Sequence, residues 1–123
     1  MTFMSFAAAT AAAAVAVCAP GLSFAFTTPI VISTANRPSG APQVTAYGNG
    51  RALIVWKEFD GEKTTVNLMT SRDDGATWSP AKTISSTMDT SDHPLLVSDG
   101  RRSYLSWMTK ADGYRIQPIE DEP

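Results

Sequence analysis

The only histidine, His93, follows Ser91 and Asp92, and a serine, a carboxylate and an imidazole together could serve a nucleophilic triad or a metal. Adjacent residues in a strand or turn do not converge on one substrate, however, and Asp92-His93-Pro94 reads as the turn that leads into a strand. One histidine with scattered carboxylates makes neither a zinc nor a calcium site, and no glycine-rich loop is present to cradle a phosphate. Tyr47, Tyr104 and Tyr114 are candidate nucleophiles, but no glutamate is placed in sequence to activate any of them. The arginines are Arg37, Arg51, Arg72, Arg101, Arg102 and Arg115, with Arg51 and Arg101-Arg102 beside hairpin turns. No catalytic residue, cofactor or metal follows from these groups. The densest polar pattern lies elsewhere, at Ser71-Arg72-Asp73-Asp74-Gly75-Ala76-Thr77-Trp78. There a carboxylate and hydroxyls can accept from nearby backbone N–H groups, Gly75 can take positive φ, and Trp78 can fold back over the turn. The expected role of Asp73 is structural.

The string S-x-D-x-G-x-T-W formed by Ser71, Asp73, Gly75, Thr77 and Trp78 resembles the Asp-box, or BNR repeat, of sialidase-like β-propellers. The resemblance implies a turn between the two outer strands of a blade, lying away from the catalytic centre of such proteins. A sialidase also needs an arginine cluster for the substrate carboxylate, a Tyr/Glu nucleophile pair and an acid/base Asp. Arg37-Pro38 is only faintly similar to the arginine-proline motif near the start of sialidases, because its flanks do not fit. The resemblance therefore carries architecture and no catalytic residue.

Those residues must be positioned by strands, and the chain repeats itself at a spacing of about 51 residues, a period typical of propellers and arrays. Thr28–Ser33 answers Ser79–Ser85, Ala41–Thr45 answers His93–Val97, and Arg51–Trp56 answers Arg102–Trp107. Asn49-Gly50 pairs with Asp99-Gly100, and Asp60-Gly61 with Asp112-Gly113, each between β-rich runs as a hairpin turn should be. The expected strands are 28–34, 42–47, 51–59, 63–71, 81–86, 94–98, 102–109 and 114–119, with no helix after residue 26. The fold class is all-β: two four-stranded antiparallel propeller-type blades, a partial sialidase-like β-propeller. Pro29–Thr34 is expected to pair with Tyr114–Ile119 and complete the second blade, covering an edge that would otherwise template aggregation. Trp56 and Trp107 occupy equivalent places and are expected to fill the wedge between sheets. Leu68 and Met69, in the strand leading to the box, are expected in the blade interior.

The N-terminus sets the compartment. Residues 1–36 contain no Lys, Arg, Asp or Glu, and Phe6–Val17 is a run of Ala, Val, Thr and Phe. Pro20-Gly21 breaks it, and Ser23-Phe24-Ala25 offers small residues for a signal peptidase, so residues 1–25 read as a secretory signal and 26–123 as the propeller-type domain. The run is too short for a comfortable membrane span. No basic residue precedes it, which leaves an uncleaved anchor or a mis-set start codon as alternatives. Cys18, the sole cysteine, lies in this segment behind Val17, which is unlike the small residue a lipoprotein requires. The expected location is periplasmic or secreted, with neither thiol chemistry nor a stable membrane span after processing.

The formal net charge is −2 and Arg101-Arg102 is the only adjacent basic pair, which argues against nucleic acid as a partner. The terminal Glu120-Asp121-Glu122 reads as a solvated acidic end. Two blades do not make a ring. The exposed faces can be hidden if the chain is a truncated or split product, if three copies form a six-bladed homo-trimer, or if the sheets pack as a sandwich. Two functions follow: a non-catalytic exported module that binds glycan or protein, and part of a sialidase-type glycosidase completed by other copies or by an upstream portion.

Overall fold

A computed structural model describes residues 28–120. The segment 1–25 expected to be a secretory signal and the terminal residues 121–123 lie outside that range. The chain divides into two units, Met1–Val31 and Ile32–Pro123. Of the first, residues 28–31 are described and have no regular secondary structure.

The second unit is all-β, with seven strands and no helix among its described residues: β1 (Ser39–Ala46), β2 (Ala52–Phe59), β3 (Thr64–Ser71), β4 (Lys82–Thr87), β5 (Leu95–Ser98), β6 (Ser103–Thr109) and β7 (Gly113–Ile119). They form one antiparallel sheet in the order β1-β2-β3-β4 and another in the order β5-β6-β7. Each strand follows its neighbour through a turn whose residues supply the backbone bonds. Asp60 accepts from the N–H groups of Glu62 and Lys63 between β2 and β3, and Asp99 does the same for Arg101 and Arg102 between β5 and β6. Those bonds hold the carboxyls of Asp60 and Asp99 below the usual carboxylate range.

The second sheet has three strands, which corrects the expectation of two four-stranded sheets closed by residues 28–34. Those residues are not a strand. Pro29 has no N–H to give a ladder, and the N–H of Thr34 donates to the Glu58 carboxylate at 2.6 Å. The chain then turns, with Arg37 N–H on the Thr34 carbonyl and Asn36 at φ 64°. Consequently β7 is an edge strand, a position that tolerates Pro118, and its Tyr114 and Ile116 are 77% and 73% exposed.

The core lies between the sheets. Leu53 and Val55 of β2 with Val66 and Leu68 of β3 pack against Leu105 and Trp107 of β6, and Ile84, Leu96 and Ile119 close the margins. A register shift opposite Val66 and Asn67 makes Ile84 the extra residue of β4 and turns it to that core. Strand alternation then fixes the faces. Register places Trp56, Glu58, Thr65 and Asn67 on the face of the first sheet turned away from the second, whereas Trp107 lies on the face of the second turned toward the first. Trp56 and Trp107 are repeat equivalents, so the two sheets stack in the same sense, one behind the other, and are not related as mirror-like halves of a sandwich. Only Trp107 fills the wedge between these two sheets; Trp56 is buried on the far side, its indole N–H on Glu58 Oε1 at 2.8 Å. Met69 joins it on that far face, half-buried, while its neighbour Leu68 is core. At the outer margin Arg115 and Gln117 of β7 reach across to Ser85 and to the Ile84 carbonyl.

Candidate functional site

The hairpin joining β3 to β4 carries the patterned octapeptide, and its polar side chains are used within the turn. Ser71 Oγ accepts from Gly75 N–H at 2.8 Å and donates to Asp73 Oδ1 at 2.9 Å. Asp73 Oδ1 also accepts from Thr77 N–H at 2.9 Å, and Asp73 Oδ2 from the Thr77 hydroxyl. The indole of Trp78 donates to the Gly75 carbonyl at 3.1 Å, folding its ring over the turn. Asp74 and Gly75 both take positive φ, 59° and 85°, so the left-handed step is shared between the two residue types that bear it most easily. The donated bonds, first those from Thr77 and then that from Ser71, hold the Asp73 carboxyl below its ordinary value. Its oxygens are spent on local donors, which fits corner chemistry better than proton transfer. Thr70 and Ser79 seal the base of the hairpin with a pair of bonds.

A second turn docks on this one. Gly48-Asn49-Gly50, between β1 and β2, puts the Gly50 carbonyl 2.8 Å from the Asp74 N–H. A Cβ on Gly50 would stand 3.0 Å from the Arg72 carbonyl oxygen at a φ of +72°, so any larger residue adds left-handed strain and pushes the two turns apart by a few tenths of an ångström.

Beside this docked pair the β1–β2 hairpin, the β5–β6 hairpin and the end of β7 surround a cavity of about 510 Å3. Its walls are Tyr47, Arg51, Arg101, Arg102, Ser103, Pro118, Ile119 and Glu120. Among the described residues its walls thus carry three arginines and one acidic residue, Glu120. The Arg51 guanidinium lies over the Tyr47 ring, 4.6 Å from its centre, which fixes its plane. The Asp99 carboxylate takes the backbone N–H groups of Arg101 and Arg102 and also feels the Arg101 charge, and both arginines are exposed. Ser103 is 2% exposed, and its Oγ has no hydrogen-bond partner among the described residues.

The opposite end of the sheets holds the remaining candidates. Glu58, 1% exposed, takes the Trp56 indole and the Thr34 N–H on Oε1, and pairs with Arg37 at 3.7 Å. Burial alone would push its carboxyl up; the Trp56 and Thr34 bonds and the Arg37 charge outweigh that and hold it below its usual value. Lys57, whose ammonium burial shifts down against the opposing charge of Asp92, donates to the carbonyls of Ser91 and Asp92. Asp92 accepts from the backbone N–H of His93, and no side-chain bond joins Ser91 to His93 among the described residues. His93 lines a cavity of about 260 Å3 with Lys57 and Glu58. Ser91-Asp92-His93 is therefore a strand-entry turn in geometry. Tyr104 and Tyr114 lie on the outer face of the second sheet, far in register from the buried Tyr47.

No group of three or more His, Cys, Asp or Glu side chains able to hold a metal occurs among the described residues. Glu58 and Ser103 were not singled out by sequence; their spacing within alternating strands was the only available sign that a polar group pointed inward.

No protein-family model, curated protein or solved structure matches this chain.

Proposed function

We propose that this chain is an exported Asp-box module of the sialidase-like β-propeller type, without catalysis of its own, that binds glycan or protein at one rim of its sheets. The observation that carries the reading is the octapeptide itself: all five residues of the S-x-D-x-G-x-T-W pattern spend their donors, acceptors or left-handed backbone inside one hairpin between the outer strands β3 and β4. Same-sense stacking of the two sheets supports it, because blades around an axis meet in that way. The rim loops bring arginines and a tyrosine to one cavity, the composition of a recognition surface.

The outer face of the second sheet presents Leu95, Val97, Tyr114 and Ile116 to solvent, an apolar set on the side where a further sheet would stack. A second copy of the chain is the proposed occupant, added head to tail until three copies close. Light scattering on the processed protein is expected to give three chains, and a clean monomer rules the trimer out. N-terminal sequencing of exported material is expected to start after Ala25; a chain beginning at Met1 refutes the processing.

A glycan array read beside a fluorogenic sialoside assay tests the function. Binding without turnover supports the module. Turnover that disappears when an arginine or tyrosine is replaced would mark the chain as part of a glycosidase instead.

A further inference from the structure

We propose that Asn49 is a modification site, at which the folded chain converts asparagine to isoaspartate through a cyclic imide and so loosens the β1–β2 turn from the Ser71–Trp78 corner. The inference concerns the backbone of that turn and does not depend on what the rim binds.

The chemistry starts from a neighbouring pair of residues. A glycine nitrogen approaches the preceding carboxamide with no side chain of its own in the way. The chain has three asparagines, Asn36, Asn49 and Asn67, and only Asn49 precedes a glycine. Gly48 on its other side also lacks a Cβ, so the Asn49–Gly50 peptide plane is bounded by two residues that let it turn. Asn49 is exposed, and neither its carboxamide nor the Gly50 N–H has a hydrogen-bond partner among the described residues. Asn67 is buried, its Oδ1 accepts from the Thr83 hydroxyl, and leucine follows it. Asn36 is followed by Arg37, whose N–H is held by the Thr34 carbonyl. Aspartate before glycine can close the same ring only as the protonated acid. Asp60 and Asp99 have their carboxyls held below the usual range by turn bonds, and the Gly75 and Gly100 N–H groups are taken by the hydroxyls of Ser71 and Ser98.

In the first step the Gly50 nitrogen gives its proton to hydroxide and attacks Asn49 Cγ. The new N–Cγ bond forms, the Cγ–Nδ2 bond breaks, and Nδ2 leaves as ammonia after taking a proton from water. Water then opens the ring at one of its two carbonyls: at Cγ it gives aspartate, and at the main-chain carbonyl it gives isoaspartate, whose chain runs on through Cβ and Cγ. The net change is one water consumed and one ammonia released, with no oxidation or reduction.

Isoaspartate lengthens the main chain by one methylene in the middle of the turn. Gly48, Asn49 and Gly50 all lie at positive φ, 81°, 53° and 72°, and the Arg51 N–H donates to the Gly48 carbonyl at 3.0 Å to close the loop. The same loop seats on the corner through the Gly50 carbonyl, 2.8 Å from the Asp74 N–H, with the Gly50 Cα packed close to the Arg72 carbonyl. A longer loop cannot keep both bonds, whereas the ordinary aspartate product keeps the backbone and adds only a charge.

The test holds the full chain in mildly alkaline buffer made with heavy-oxygen water and follows it by peptide mapping, with electron-transfer fragmentation to tell isoaspartate from aspartate. The chain unfolded in urea and the variant Asn49→Gln, whose longer side chain would need a six-membered ring, are run beside it. Heavy oxygen is expected at position 49 ahead of 36 and 67, at a rate within about tenfold of that in urea, with isoaspartate exceeding aspartate and position 49 silent in Asn49→Gln. The aged protein should melt about 5 °C below the fresh one, what one lost hydrogen bond is worth in a domain of this size, while Asn49→Asp melts like the parent. The inference is overturned if position 36 or 67 converts first, if folding slows position 49 by more than that factor, if aspartate predominates, if Asn49→Gln gains label at position 49 as the parent does, or if the aged protein melts like the fresh one. Equal melting of Asn49→Asp and the aged protein would also overturn it, since charge and not chain length would then be the cause.

Discussion

Gly50→Ala measures how firmly the β1–β2 turn is seated on the Ser71–Trp78 corner. Gly50 sits at φ +72°, and an added Cβ would meet the Arg72 carbonyl oxygen at 3.0 Å and the Asp74 nitrogen at 3.5 Å. Gly113 is a matched control, because it has the same φ of +72° and nothing within 4 Å of its Cβ position. Left-handed backbone costs alanine about 1–2 kcal/mol, and the stiffer unfolded chain returns about 0.4–1 kcal/mol, so Gly113→Ala should lose about 1 kcal/mol. Gly50→Ala carries the same strain plus an overlap with backbone atoms that cannot rotate away, about 1–3 kcal/mol more by comparison with overpacked sites. The shift also stretches the bond from Asp74 N–H to the Gly50 carbonyl. The total is about 2–4 kcal/mol. At about 4–8 °C per kcal/mol for a domain of this size, Gly113→Ala should lower Tm by about 5 °C and Gly50→Ala by at least about 8 °C. Thermal unfolding followed by far-ultraviolet circular dichroism reads both. Equal losses would refute the docking of the two turns, since only the overlap distinguishes the variants.

Four other outcomes are expected. Glu58→Ala should destabilise by about 2–4 kcal/mol, because the Trp56 indole and the Thr34 N–H lose their acceptor; chemical denaturation checks it, and a loss below 0.5 kcal/mol contradicts the buried network. Glu58, Asp60, Asp73 and Asp99 all titrate lower when folded than their unfolded values of about 3.9–4.3, so their stabilisation is complete above about pH 5 and fades as acid carries the pH down through the folded values. Tm should fall on acidification and fall less in Glu58→Gln; a Tm that rises toward pH 3 would reverse the sign. Asp73→Ala should lower Tm more than Thr77→Val, since it removes the acceptor for both Thr77 and Ser71, and equal melting would show that the carboxylate does not organise the corner. Leu105→Ala, which empties a fully buried place between the sheets, should cost about 2–5 kcal/mol by denaturant titration, and a negligible cost would mean the sheets do not pack through β6.

Turns were the legible part of this chain. Asn49-Gly50, Asp60-Gly61, Asp99-Gly100 and Asp112-Gly113 each punctuate β-rich runs, and their bonds close over a few residues, so strands β1 to β7 fall within a few residues of where sequence puts them. The corner at Ser71–Trp78 was readable for the same reason: donor and acceptor are near neighbours. Residues 28–34 misled because Pro29-Ile30-Val31-Ile32 has strand composition, while the decisive partner of Thr34 is Glu58, distant in sequence. The Trp56 and Trp107 repeat was visible, yet which of them faces the other sheet depends on stacking sense, which no local pattern encodes. Arg51 and Arg101-Arg102 could be placed beside turns, but their convergence with Ser103 on one cavity requires the two hairpins to come together in space.

Because the sheets follow one another in a common sense, the surface the second sheet offers outward corresponds, residue for residue along the repeat, to the one the first has already buried. A lineage can then lengthen or shorten such a protein by duplicating or deleting one sheet's worth of coding sequence, and each new junction inherits a contact that selection has already worked out. Whichever sheet stands outermost carries the pressure to keep its free surface from sticking indiscriminately, and among the described residues that surface is marked by Leu95, Val97, Tyr114 and Ile116.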